Sequence, residues 1–152
     1  MKAVRSLLSR SVLAMIPLVM AIAACDDDDD PLVPSDVAGE YVADSATANA
    51  VFVVIEEGDT LDVLEEGGSI EIELNEDGTT TGRFFAPGLG EGGEDIDENL
   101  EGEWSLDDGV VTLDHDADTF LRDIEFEFVG NRLVADQTIA GGTRYRVVLV
   151  KQ

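Results

Sequence analysis

The amino-acid sequence predicts an all-β domain, a small antiparallel up-and-down barrel or flattened barrel of eight to ten short strands. Three observations carry that expectation. From residue 39 onward apolar and polar residues alternate with period two, the mark of strands with one buried face. Residues that tolerate positive φ stand between the alternating runs, where tight antiparallel connections need them. No segment after the N-terminal apolar stretch repeats its apolar residues with the helical period.

Taken in order, strands are expected over residues 39–44, 50–56, 60–64, 69–75, 79–86, 99–106, 110–115, 119–129, 132–136 and 143–151. Ser69 to Leu74 places Ile70, Ile72 and Leu74 on one side and Glu71 and Glu73 on the other. Leu100, Gly102, Trp104 and Leu106 oppose Glu101, Glu103 and Ser105, and Ile124, Phe126 and Phe128 oppose Asp123, Glu125 and Glu127. Tyr41, Val51, Val53, Ile55, Phe84, Leu113, Tyr145, Val147 and Leu149 complete the expected inward set. Asn75-Glu76-Asp77-Gly78, Asp107-Asp108-Gly109 and Gly130-Asn131 supply hairpin turns. Short strands joined by short turns form a meander, and a meander closes because closure removes exposed edges. One connection is long: Pro87 to Asn99, rich in glycine and acids, reads as a mobile loop at one end of the barrel.

This pattern resembles the small lipocalin-like domains of bacterial lipoproteins. The residues that carry the likeness are Gly39-Glu40-Tyr41 opening the first strand, where lipocalins place Gly-x-Trp, the hairpins at Asp77-Gly78 and Asp108-Gly109, and Gly102-Glu103-Trp104 between them. The resemblance covers most of residues 38–151 and implies a barrel interior that holds a small apolar molecule. The candidate contacts are Tyr41, Phe84, Trp104, Phe126, Phe128 and Tyr145. A barrel of about eight strands is just wide enough to be filled by its own side chains or to hold one small ligand, so a filled core stands beside the pocket as an expectation.

The N-terminal region has its own signature. Lys2, Arg5 and Arg10 precede an apolar stretch from Val12 to Ala24, the layout of a secretory signal peptide. That stretch is short of the roughly 20 residues a membrane-spanning helix needs. The run Ile22-Ala23-Ala24-Cys25 resembles the lipobox of bacterial lipoproteins, and Cys25 is the sole cysteine. The resemblance implies cleavage after residue 24, acylation of the Cys25 thiol and a lipid anchor, typically of more than one acyl chain; two chains hold stably where one does not. The aspartates Asp26 to Asp30 then begin a solvated acidic tether over residues 25–37, since consecutive like charges repel and bury no apolar surface. The domain occupies residues 38–152, in the cell envelope, facing the periplasm or the exterior. Asp26 resembles an inner-membrane retention signal in some bacteria, which leaves the choice of membrane open.

Composition bounds the partners. The chain carries nine basic and 34 acidic residues, a net charge of −25. Such a surface repels nucleic acid and anionic headgroups, so membrane attachment falls to the lipid. The acids are spread over solvent-facing strand positions, which suits a demanding or saline habitat better than a dedicated cation store. With no cysteine beyond Cys25, no disulfide staples the domain.

Candidate chemistry is sparse. Asp114, Asp116 and Asp118 occupy the first, third and fifth positions of an EF-hand-like loop with Glu125 at the twelfth, which suits calcium's hard oxygen donors. The sixth position is Thr119 where a glycine is needed, and Arg122 stands at the ninth. His115 is the sole histidine, so a site built from several imidazoles is excluded. Ser35, Ser45, Ser69 and Ser105 lack a nucleophile elbow. The expectation is a non-enzymatic, membrane-anchored binding module for a small apolar molecule. An assembly accessory with a filled core, docking to another envelope protein, is the alternative, and calcium binding the third reading.

Overall fold

The computed structural model describes residues 31–49, 60–139 and 142–152. The signal peptide, Cys25, Asp26 to Asp30 and the expected strand over 50–56 with Val51, Val53 and Ile55 lie outside the described residues. Ten strands form one antiparallel sheet: β1 (Gly39–Asn49), β2 (Thr60–Asp62), β3 (Ser69–Leu74), β4 (Thr79–Ala86), β5 (Ile96–Asn99), β6 (Gly102–Asp107), β7 (Val110–His115), β8 (Glu125–Val129), β9 (Arg132–Thr138) and β10 (Arg144–Lys151). The order β1-β3-β4-β6-β7-β8-β9-β10 returns to β1, because β1 and β10 pair from Tyr41 with Lys151 to Asn49 with Arg144. The expected eight-stranded closed barrel is therefore present.

Strand β1 runs further than the alternation suggested. A bulge between Ala43 and Ser45 leaves Asp44 unpaired. The inward positions consequently change phase, from Tyr41 before the bulge to Ala46 after it, and both are fully buried. A bulge adds one residue to one strand and sharpens its bend, so a sequence reading that demands unbroken alternation stops at this point. The far half of β1 then takes β2 on the edge that its near half gives to β3.

Two further expectations are corrected. Residues 96–99, assigned to the long loop, form β5. It pairs Arg83 with Asn99 through Ala86 with Ile96, in the same register that pairs Thr80 with Gly102. Strands β5 and β6 are thus one bent rung along β4, bridged by the amide of Leu100 donating to the Gly82 carbonyl at 3.0 Å. The β5 sequence, Ile-Asp-Glu-Asn, has little strand propensity; Asp97 accepts two hydrogen bonds from Arg83 of β4, at 2.7 and 2.8 Å. The expected strand over 119–129 begins only at Glu125, and Phe120–Arg122 is a 3-10 turn. Continuous alternation there would have turned Arg122 inward beside Ile124. The turn shifts the phase instead, so that Leu121 is fully buried while Arg122 reaches out to Asp118 at 2.8 Å.

The two ends of the barrel differ. At one end lie three tight hairpins, at 75–78, 108–109 and 130–131, together with a single helical turn, Pro34–Val37, which sequence had placed in the tether. Proline at its first position is compatible with a helix start, and the Asp36 carboxylate accepts from the Val33 amide at 3.0 Å. Val37 is buried beneath the barrel floor, where the Tyr41 hydroxyl donates to its carbonyl. Lys151 fastens the same turn by donating to the Asp36 carbonyl at 3.0 Å. Trp104 donates its indole N–H to the Asn75 carbonyl at 2.8 Å in the first hairpin. The other end carries the longer connections at 63–68, 87–95 and 116–124, with the described residues 139, 142 and 143 between β9 and β10.

The core inside is continuous. Thirteen of the expected inward residues are buried: Tyr41, Ile70, Ile72, Leu74, Phe84, Leu100, Trp104, Leu113, Ile124, Phe126, Tyr145, Val147 and Leu149. Leu106 and Phe128 pack against them while partly exposed. Gly82 and Gly102 mark where neighbouring backbone comes too close for any side chain, since a Cβ at Gly102 would stand 2.1 Å from the Asp114 carbonyl oxygen. Gly102→Ala is therefore expected to lower unfolding stability by about 1–3 kcal/mol, the usual range for overpacking. A urea melt should show a lower midpoint with an unchanged slope, and an unmoved midpoint would contradict the close approach.

Candidate functional site

Side chains with the means to recognise a ligand gather at the end with the longer connections. Phe84 comes from the far half of β4, Tyr145 from the start of β10 and Phe120 from the 3-10 turn between β7 and β8. The Phe120 and Tyr145 rings stack at 4.5 Å with a 6° interplanar angle, and Phe84 meets Phe120 edge-on at 5.6 Å. Both geometries are favourable for aromatic quadrupoles, at about 0.5–1.5 kcal/mol per pair beyond burial. The cluster draws the 116–124 connection from β7 across to β10. It does so because β7 pairs with β8 only from Val110 to Thr112, which leaves the β7 end near Leu113 to His115 without a strand on that side.

Polar atoms without partners accompany these rings. His115 ends the inward row Val111, Leu113, His115 of β7 and is 3% exposed, and among the described residues neither ring nitrogen makes a hydrogen bond. Thr119, next to Phe120, and Thr143, two residues before Tyr145 on the same inward row, are also buried with unpartnered hydroxyls. Buried polar groups are nearly always hydrogen-bonded, so three such groups at one end of a barrel set that end apart. Burial pushes the His115 imidazole below its ordinary value. The Ala117 main chain works the other way without reaching hydrogen-bond geometry; Arg122 adds to the depression, and Asp114 and Asp116 oppose it. Burial, then Asp123, raises the Tyr145 hydroxyl.

The charge around this end is one-sided. Its described connections contain Glu65, Glu66, Glu91, Glu94, Asp95, Asp116, Asp118 and Asp123 against a single base, Arg122. Asp118 holds Arg122 at 2.8 Å and Asp123 flanks it at 3.9 Å.

The ligand contacts expected from sequence separate into two groups. Phe84 and Tyr145 belong to the cluster at the end with the longer connections. Tyr41 and Trp104 sit at the sealed end with their polar atoms committed to Val37 and Asn75, and burial pushes the Tyr41 hydroxyl up to about 12. Phe126 is fully buried at mid-barrel opposite Val111, and Phe128 lies beside the 130–131 turn. Sequence reading missed Phe120, Thr119 and Thr143, and set His115 aside as a lone base. The one available signal was the phase conflict at Arg122.

The carboxylates proposed for calcium do not converge. Asp114 faces outward from β7 opposite Glu103, Asp116 and Asp118 are exposed on the connection, and Gln137 clips the Glu125 main chain at 3.2 and 3.1 Å. Among the described residues no three His, Cys, Asp or Glu side chains are grouped to hold a metal. A groove of about 310 Å³ does lie on the outer wall over β1, β3 and β4. Glu40, Glu71 and Glu73 edge it, and its one base, Arg83, is tied to Asp97. Among the described residues no helix is long and apolar enough to cross a membrane.

Comparison with known proteins finds no matching family model, no matching curated protein and no matching solved structure.

The depressed His115 gives a pH signature with a definite sign. Because the folded value lies below the unfolded value of about 6.5, the unfolded chain binds more protons as pH falls through that value. The contribution is complete above it and is lost toward the folded value. His115→Leu should remove this loss, so the melting temperature of the native protein should fall further than the variant's between pH 7 and pH 5. Parallel falls would show that His115 does not titrate from a buried position.

Proposed function

We propose that the chain is a lipid-anchored bacterial envelope lipoprotein, acylated at Cys25, whose barrel is a non-enzymatic binding module for a small, largely apolar molecule. The observation that carries the binding part is the inequality of the two ends. One is closed by three tight turns and a docked helical turn, and the other bears the longer connections, the Phe84–Phe120–Tyr145 cluster and three buried polar groups without partners. Ligand sites are concave and mostly apolar with a few placed polar groups, and the mouths of β-barrels are among their usual locations.

The anchoring part rests on the lipobox-like run before Cys25 and the basic n-region upstream. With the first 24 residues removed, six basic residues remain against 34 acidic ones, a net charge of −28. A domain so charged has no electrostatic affinity for anionic headgroups, and acyl chains supply the attachment instead. The like charges of Asp26 to Asp30 suit a solvated spacer between anchor and domain, and the end with the longer connections would meet a molecule in the periplasm or outside the cell.

Native mass spectrometry of the protein isolated from its own membranes tests both parts. The expected spectrum starts at Cys25, carries the mass of two or more acyl chains, and includes a noncovalent adduct that Tyr145→Ala depletes. A free Cys25 thiol would overturn the anchor, and an adduct-free native protein would overturn the binding module.

A further inference from the structure

His115 is an unusual residue to find unsatisfied. It is the sole histidine of the chain, it is 3% exposed, and both ring nitrogens lack partners among the described residues. A neutral imidazole presents one donor and one acceptor. The group that completes it must therefore accept from one nitrogen or donate to the other, and a hydroxyl or a primary carboxamide can do either. Thr119 and Thr143 add two hydroxyls of the same adaptable kind, each next to or near a ring of the stacked Phe120–Tyr145 pair.

Charge decides among polar groups. Eight carboxylates in the described connections surround this end; Arg122 is already held by Asp118 and Asp123, and Arg144 at the start of β10 is held by Asp136, which Arg146 shares. A carboxylate or phosphate ligand would enter against that field without a free cation to receive it. An ammonium group could donate to the imidazole, but among buried aromatic rings it would lose its hydration without an ion partner, since the carboxylates of the connections are exposed. What remains is a neutral head that both donates and accepts, on a body that suits aromatic faces.

We propose that the end bearing the longer connections takes an uncharged amphiphile, with its hydroxyl or carboxamide hydrogen-bonded to His115 and its apolar part against Phe84, Phe120 and Tyr145. This assignment rests on the binding-module reading and adds the ligand's class and its polar contact.

The test uses the acylated protein in lipid nanodiscs, labelled with ¹³C at the histidine Cε1 position; the single histidine gives one signal from this chain. 1-Octanol and octanoate, which share an apolar body, are titrated at pH 7.5, with empty discs as the blank for calorimetry. The expected result is saturable octanol binding that shifts the His115 signal, with octanoate at least tenfold weaker. Saturable octanol binding with an unmoved His115 signal would overturn the polar contact while leaving the binding module standing. Octanoate binding as tightly as octanol would overturn the uncharged class. Failure of both to bind above the blank would overturn the proposal together with the module it rests on.

Discussion

The antiparallel pairing of β1 with β10 is the contact on which the rest of the structure depends. It joins the first strand to the last and turns a twisted sheet into a closed wall. Without it the strands around β1 and β10 would present unpaired amides and carbonyls to water, and the inward faces of Tyr41, Val147 and Leu149 would lose the opposite side of their core. The Asp44 bulge lets β1 bend enough to serve both β10 and the split pair β3 and β2. Gly82 and Gly102 allow close backbone approach on the other side of the barrel, where a side chain would collide with main chain.

Closure also makes the ends meaningful. An antiparallel meander sends alternate connections to opposite ends, and here the tight turns fall at one end and the longer connections at the other. The sealed end uses its polar atoms internally: the Tyr41 hydroxyl, the Trp104 indole and the Lys151 ammonium each bond main-chain carbonyls. At the other end His115, Thr119 and Thr143 find no partners among the described residues. Polar atoms are spent on architecture at one end and left without partners among the described residues at the other.

Much of the architecture was legible in the sequence because it follows from period two. Ile70, Ile72 and Leu74, the hairpin at Asp108-Gly109, and the row Tyr145, Val147 and Leu149 follow directly from alternation and turn chemistry. The misses share one cause, which is that a change of phase is invisible to a rule that looks for constant phase. Asp44 shifts β1, the Phe120–Arg122 turn replaces the start of a strand, and Ile96–Asn99 owes its strand state to Arg83 across the ladder instead of its own propensity. The site suffered most. Its central ring, Phe120, lies within the phase change, and the unpartnered state of His115 is a property of packing that no local pattern encodes. Tyr41 and Trp104 looked like ligand contacts from sequence because aromatic residues on an inward row are equally suited to a pocket or to its floor.

Amide hydrogen exchange on the native protein tests barrel closure most directly. The account expects the amides of β1 and β10 that face each other, from Val42 to Ala48 and from Tyr145 to Val150, to exchange as slowly as those of β3, because only global unfolding exposes them. Rapid exchange along β1 and β10, at the rate of an unpaired edge strand, would contradict it and leave an open sheet without distinct ends.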